Sequence, residues 1–144
     1  MSKQKFRLFL VINWLLVLAY IVVSITTESL LPPEIQSYLD AQLNTPITLF
    51  EIVLLIIGVV YFIFCIVLSV GLFLFKKWAK AILLPSSVLS LLLFLLVFNT
   101  KPVIETGWAS FIGDILSLFE GIILALVYFS PISRMFEKNQ HTMR

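Results

Sequence analysis

Residues 49–98 read LFEIVLLIIGVVYFIFCIVLSVGLFLFKKWAKAILLPSSVLSLLLFLLVF. They hold two apolar runs, 49–75 and 81–98, separated by the basic turn Lys76-Lys77-Trp78-Ala79-Lys80. As an α-helix rising about 1.5 Å per residue, the first run is roughly 40 Å long, which exceeds a bilayer hydrocarbon core of about 30 Å. We therefore expect a pair of transmembrane helices, the first of them tilted or protruding.

Two further apolar runs, 8–25 and 108–129, flank this pair. The chain of 144 residues is 60% hydrophobic and 12% charged, with a mean hydropathy of +1.08. A soluble domain carries roughly 25% charged residues, so this surface is suited to lipid. The sequence predicts an all-α integral membrane four-helix bundle, a single transmembrane domain over residues 1–144 with no room for a soluble domain.

The basic residues indicate the orientation. Of ten Lys and Arg residues, nine fall in three clusters beside the spans: Lys3/Lys5/Arg7, Lys76/Lys77/Lys80 and Arg134/Lys138/Arg144. By the positive-inside rule all three clusters lie in the cytoplasm, which places both termini there. Orientation explains these charges without nucleic acid, so we expect the lipid bilayer and not nucleic acid as the partner.

The connection at residues 26–48 is acidic and holds no basic residue. Within it, Ile35, Tyr38, Leu39 and Leu43 recur at the spacing of an amphipathic helix, and the preceding Pro32-Pro33 suits a helix start. We expect a short helix over residues 34–43 that caps the bundle or lies on the outer leaflet. The link at residues 99–107 is short, and the polar tail after Pro131 is expected to fray.

The fourth span carries a stripe of small residues every four positions: Ala109, Gly113, Ser117, Gly121 and Ala125. Apolar lipid tails give helices no hydrophobic reason to associate, so close backbone packing through small side chains has to supply it. The stripe predicts a helix-contact face. Its partner is either another span of this chain or a second membrane protein, including another copy.

Three acids fall within or beside the spans: Glu51, Asp114 and Glu120. Asp114 and Glu120 point about 120° apart on one helix, with Glu120 near the middle of the membrane. A carboxyl at that depth costs about 2.5–3.5 kcal/mol on insertion scales, so Glu120 should face protein or water and be protonated or partnered. Its candidate partners are all neutral: Asn13, Tyr61, Ser69, Ser86, Ser87 and Ser90.

Glu51 allows two interpretations. An acid at a helix N-terminus is favoured by the helix dipole. Alternatively, Glu51 and Asp114 both lie in the outer third of the membrane, where a carboxyl pair could share a proton, bind a cation or activate water. The lone Cys65 excludes an intrachain disulfide, and with His141 as the only histidine we expect no metal site and no cofactor.

The turn formed by Lys76, Lys77, Trp78 and Lys80 matches a cytoplasmic headgroup boundary and could also bind anionic lipid. Its K-x-W-A-K pattern resembles the K/R-x-W-A-K/R turn between the second and third spans of small uncharacterised bacterial inner-membrane proteins. That resemblance covers about five residues and implies localisation in the bacterial inner membrane.

Three classes of function fit these features. The first is a non-enzymatic accessory or interaction subunit of a larger membrane assembly, docked through the small-residue stripe. The second is a small proton- or ion-coupled transporter using Glu120 and Asp114. Its four spans and membrane acid resemble small multidrug-resistance transporters, although their essential glutamate lies in the first span. The third is an intramembrane hydrolase with the Glu51/Asp114 pair, resembling the four-span lipoprotein signal peptidases but lacking their motifs.

Overall fold

The computed structural model describes residues 2–98 and 104–138, and the described chain is all-helical. Four helices are long and apolar enough to cross a membrane. The α-helices are α1 (Lys3–Thr26), α2 (Pro33–Leu43), α3 (Leu49–Phe73), α4 (Lys77–Phe98), α5 (Gly107–Phe129) and α6 (Met135–Lys138). Two 3₁₀ turns, Glu28–Leu30 and Pro131–Arg134, follow α1 and α5.

Three of the four long helices begin at side-chain caps. The hydroxyls of Ser2, Thr48 and Thr106 accept hydrogen bonds from backbone N–H groups in the first turns of α1, α3 and α5. Such caps satisfy donors that have no partner inside the helix. Because α1 starts at Lys3 and α4 at Lys77, basic residues that flank the predicted apolar runs lie within the first helical turns.

The four long helices form a ring in the order α1, α3, α4, α5. Contacts are most extensive between α1 and α5 and between α3 and α4, so the ring consists of two helix pairs. Residues 3–10, 68–80 and 123–138 meet at what we call the basic end, because the basic turn lies there. The opposite end, which holds Glu28, Glu51 and Glu105, is the acidic end.

The hydrophobic core lies at the basic end. Three rings form its centre: Phe6 and Phe75 have centroids 5.6 Å apart, and Phe136 lies 5.3 Å from Phe75. The remaining buried residues of this cluster come from the same ends of their helices: Leu10, Leu68, Leu72, Ala79, Ile123, Val127 and Ile132. The two helix pairs are therefore joined chiefly at one end.

The expectation of a frayed tail after Pro131 is wrong for the residues that the structure describes. Ile132 and Phe136 are 0% and 1% exposed, and both belong to the core. The segment 131–138 turns back across the basic end because Ile132 and Phe136, four residues apart, project the same way. A short apolar repeat thus outweighs the polar character of the surrounding tail.

Pro85 lies inside α4 and not in its first turns, because the helix begins at Lys77. Just before it, the Tyr128 hydroxyl donates to the Lys80 carbonyl and accepts from the Leu84 N–H at 3.2 Å. Lys80 and Leu84 would bond to each other in a regular helix, so the hydroxyl of Tyr128 is inserted into the backbone ladder of α4.

A polar latch holds α1 against the start of α5 at the acidic end. The Tyr20 hydroxyl donates to the Glu105 carboxylate, and the hydroxyls of Thr27 and Thr106 are 2.6 Å apart. Thr106 also caps α5, so the helix start and the latch share one residue.

The predicted helix of the first connection is present as α2. Gln36 ties it to the preceding turn by donating to the carbonyls of Ser29 and Leu31. No described side chain of α2 is buried, so α2 does not cover the bundle as a cap would.

Candidate functional site

The small-residue stripe of α5 is filled over its first part. Ala109 is 1% exposed. A Cβ placed on Gly113 would meet the ring of Tyr20 from α1 at 3.5 Å, which is ordinary contact. The acidic-end part of the stripe therefore packs against α1 within the same chain, through the close approach that small side chains permit.

The rest of the stripe is open. Ser117, Gly121 and Ala125 are exposed, and a Cβ on Gly121 would meet nothing within 4 Å among the described atoms. The Ser117 hydroxyl donates to the Gly113 carbonyl of its own helix at 3.0 Å. Small side chains at this spacing leave a shallow channel on the helix surface with no span of this chain in it.

Asp114 lies on the same open side. At about 100° per residue, Asp114, Ser117, Gly121 and Ala125 fall within roughly 80° of one another around α5. All four are exposed, and we call them the outward face. The large apolar residues beside it, Phe111 and Leu118, are 58% and 65% exposed. The outward face thus combines an acid and small residues at the depth of an apolar span.

Glu120 has a different orientation. It lies one heptad from Gly113 and one from Val127, so the three share a side of α5. Gly113 contacts α1 and Val127 is fully buried, so this side turns toward the other helices. The Glu120 side chain is nevertheless exposed.

Glu120 lies near a polar group of α3, since its carboxyl and the Cys65 thiol are close enough for an electrostatic interaction. One turn away, the Tyr61 hydroxyl donates to the Ser86 carbonyl of α4 at 2.7 Å. The Asn13 side-chain oxygen of α1 is buried and has no hydrogen-bond partner in the described structure.

Two of the four serines expected as partners of Glu120 form their hydrogen bonds elsewhere. The hydroxyls of Ser86 and Ser87 both donate to the Leu83 carbonyl of their own helix, at 2.9 and 3.0 Å. Such bonds back to the preceding turn commonly accompany a bend, and they lie directly after Pro85. These two hydroxyls are therefore engaged within α4 and not by Glu120.

Glu51 acts as a helix cap. Its carboxylate accepts from the Thr48 backbone N–H at 2.8 Å, and the Thr48 hydroxyl accepts from the Glu51 N–H at 3.3 Å, which is a capping box. In the ring, α3 and α5 lie diagonally, without the extensive contacts that join neighbouring helices. This geometry favours the helix-terminus interpretation of Glu51 over a carboxyl pair with Asp114.

The basic turn is tightly packed. Phe75 has a φ of 55°, a left-handed conformation that is unfavourable for a residue with a large side chain. The Lys76 N–H bonds back to the Gly71 carbonyl at 2.9 Å, closing a Schellman-type turn in which glycine is usual at the Phe75 position. The burial of the Phe75 ring in the core compensates for this strain.

The other residues of the basic turn divide into two groups. Trp78 packs on Gly71, where an added Cβ would come within 2.6 Å of the indole, and Lys80 is bound by the tail. The Lys80 ammonium donates to the Ser133 hydroxyl at 2.7 Å and to the Glu137 carboxylate at 2.9 Å. Lys76 and Lys77 are exposed.

The Lys80 contact also affects the titration of Glu137. The hydrogen bond and positive charge of Lys80 favour the ionised carboxylate and lower the pKa of Glu137 from its ordinary value. The Glu137 side chain is exposed, so solvent screens this interaction.

Sequence reasoning missed three of these features. The Tyr128 insertion and the Tyr20–Glu105 latch depend on which helices are neighbours, and no local pattern indicates that. The Glu51 cap had a signal in the sequence, since Thr48 and Glu51 have the spacing of a capping box.

Within residues 2–98 and 104–138, no group of three His, Cys, Asp or Glu side chains could hold a metal ion. No protein-family model, curated protein or solved structure matches the chain.

Proposed function

We propose that this chain is a non-enzymatic accessory or interaction subunit of a larger assembly in the bacterial inner membrane. It would cross the membrane four times, with both termini and the basic end in the cytoplasm. It would dock on a partner helix, from another membrane protein or a second copy, through the outward face of α5.

Lipid is the solvent that suits this surface. Along α3 and α4 the outward residues are large and apolar, with Leu55, Val60 and Leu91 at 69%, 61% and 64% exposed. Contiguous apolar surface of this extent is unfavourable in water. The described basic clusters meet at one end of the bundle, as the positive-inside rule requires of a cytoplasmic side.

The outward face of α5 carries the proposal. Lipid tails offer no hydrogen bond to Asp114 and fill a channel of small residues poorly, so this face is costly against lipid. A partner helix could approach closely along Ser117, Gly121 and Ala125 and supply a donor to Asp114. A protein contact therefore suits these residues better than lipid does.

Filling the channel tests this interface. We expect Gly121→Leu to abolish a contact at this face, detected by photo-crosslinking from position 125 in native membranes. Gly58→Leu is the matched control, because Gly58 also has nothing within 4 Å but lies on α3. Equal crosslinking in wild type and Gly121→Leu, to a partner or to a second copy, would contradict the proposal.

Transport remains the second candidate, because Glu120 faces the other helices and is still accessible. An accessible carboxyl on this side of α5 could bind and release a proton or cation. Replacing Glu120 with Gln keeps hydrogen-bonding capacity and removes titration. Loss of pH-dependent proton or cation flux in proteoliposomes, with the fold intact, would favour transport over docking. Unchanged assembly without any such flux would favour docking.

A hydrolase gains no support from the capping role of Glu51.

A further inference from the structure

An apolar groove runs along the surface between α1 and α3. Its volume is about 540 Å³. Its lining is almost entirely apolar, and the side chains that define its course are Leu10, Trp14 and Leu18 of α1 with Ile66, Val70 and Phe73 of α3. The α3 residues come from the half of that helix nearest the basic end, and the α1 residues run from near the basic end to just past the middle of that helix.

Arg7 lies at the end of this groove. Its Nε donates to the Phe73 carbonyl at 3.2 Å, and its guanidinium carbon lies 4.8 Å from the centroid of the Phe73 ring. Phe73 is itself part of the groove wall. Arg7 also precedes Trp14 by one heptad, so its side chain lies in line with the α1 side of the groove.

The charges of Arg7 and Lys3 are not neutralised by any residue that the structure describes. Lys3 lies one turn before Arg7, with its ammonium 5.7 Å from the Phe75 ring centroid. Glu137 is the one acid among the residues described at the basic end, and it is bound to Lys80. No described carboxylate forms an ion pair with Arg7, so its remaining guanidinium donors are available to an external anion.

We propose that the α1–α3 groove binds an anionic phospholipid, with an acyl chain along the apolar walls and the phosphate at Arg7 and Lys3. A guanidinium fork matches the geometry of phosphate oxygens. The stacking of Arg7 on Phe73 and its bond to the backbone fix the fork in place before a lipid arrives, which reduces the entropy lost on binding.

The dimensions fit one leaflet. From Arg7 to Leu18 a helix rises about 16 Å at 1.5 Å per residue, and half of a hydrocarbon core is about 15 Å. A second apolar groove, between α3 and α4, has a volume of about 390 Å³ and is lined by residues such as Ile57 and Leu89. Neither groove has a charged residue in its lining, but in the described structure only the α1–α3 groove has a wall residue, Phe73, that contacts an arginine.

The headgroup contact is tested by charge removal at matched positions. The protein is reconstituted in nanodiscs of phosphatidylcholine and phosphatidylglycerol, extracted in mild detergent, and its retained lipids are measured by native mass spectrometry. We expect wild type to retain phosphatidylglycerol selectively and Arg7→Gln to retain it about tenfold more weakly. Lys5→Gln removes one charge from the same helix turn, away from the groove, and should retain lipid as wild type does.

The acyl contact is tested without touching Arg7, in case its substitution disturbs the fold. Val11 lines the groove and Leu8 does not, although both are exposed. Val11→Trp should lower lipid retention while Leu8→Trp should not.

The proposal rests on the membrane placement argued above but not on the α5 partner. Wild type in the membrane fraction without a preference for phosphatidylglycerol would overturn the lipid site alone. Equal losses in Arg7→Gln and Lys5→Gln would show only diffuse surface charge and would also overturn it. A dimer that dissociates with Val11→Trp would assign the groove to a second copy instead.

Discussion

The two ends of the bundle are built differently. At the basic end, residues from every long helix and from the tail bury three phenylalanine rings in one core. Toward the acidic end, α3 is exposed at nearly every position from Ile52 to Val60, and polar bonds latch α1 to α5. The fold is therefore fixed by packing at one end, while the side chains toward the other end remain largely exposed.

The largest effect is expected in the packed core. Phe136→Ala should destabilise the protein by about 3–5 kcal/mol, because it removes a ring that is 1% exposed and leaves a cavity. Phe129→Ala is the matched control, since Phe129 is 92% exposed and should change stability by less than about 0.5 kcal/mol. Unfolding in detergent micelles measures both. Similar free energies of unfolding for the two variants would contradict a core that is packed at the basic end.

Two glycine substitutions compare the packed region with the open region again, with smaller expected changes in stability. Gly71→Ala forces a methyl group against Trp78 and Ala79, and should cost about 1–3 kcal/mol. Gly58→Ala meets open space in α3 and should stabilise the helix by up to about 1 kcal/mol. The same unfolding assay applies, and a neutral Gly71→Ala would mean that the basic turn is loosely packed.

The smallest effect is a pH dependence of the tail. The pKa of Glu137 is lowered in the folded state by Lys80. The contact of Glu137 with Lys80 therefore stabilises the tail in full above the unfolded-state pKa of about 4.3. That stabilisation is lost as the pH falls through the lower folded-state pKa. Hydrogen exchange of residues 132–136 should quicken across that acidic range in wild type. With Glu137→Gln we expect slightly faster exchange and no such step; an identical step in the variant would assign it to another group.

Hydropathy and charge were sufficient to predict the four long helices and α2, because their apolar runs and turn residues are local patterns. The tail was mispredicted, although Ile132, Met135 and Phe136 have helical apolar spacing within an otherwise polar segment. Which half of the α5 stripe is filled could not be predicted. That outcome depends on Tyr20 of α1 reaching Gly113 and on no helix reaching Gly121.

The α1–α3 groove could not be predicted from local sequence patterns either. Arg7, Val11, Trp14 and Leu18 follow one side of α1 in the sequence, but only the pairing of α1 with α3 brings Phe73 beneath the guanidinium. Local spacing predicts the face of a helix, whereas the identity of its neighbour is a tertiary property.

Membrane topology tests the central claim most directly. Reporter tags placed at Gln42, in α2, and after His141, near the C-terminus, can be assayed for accessibility in intact cells. We expect the Gln42 tag outside the cytoplasm and the C-terminal tag inside it. Both tags in the same compartment would contradict a four-span chain with its basic end in the cytoplasm.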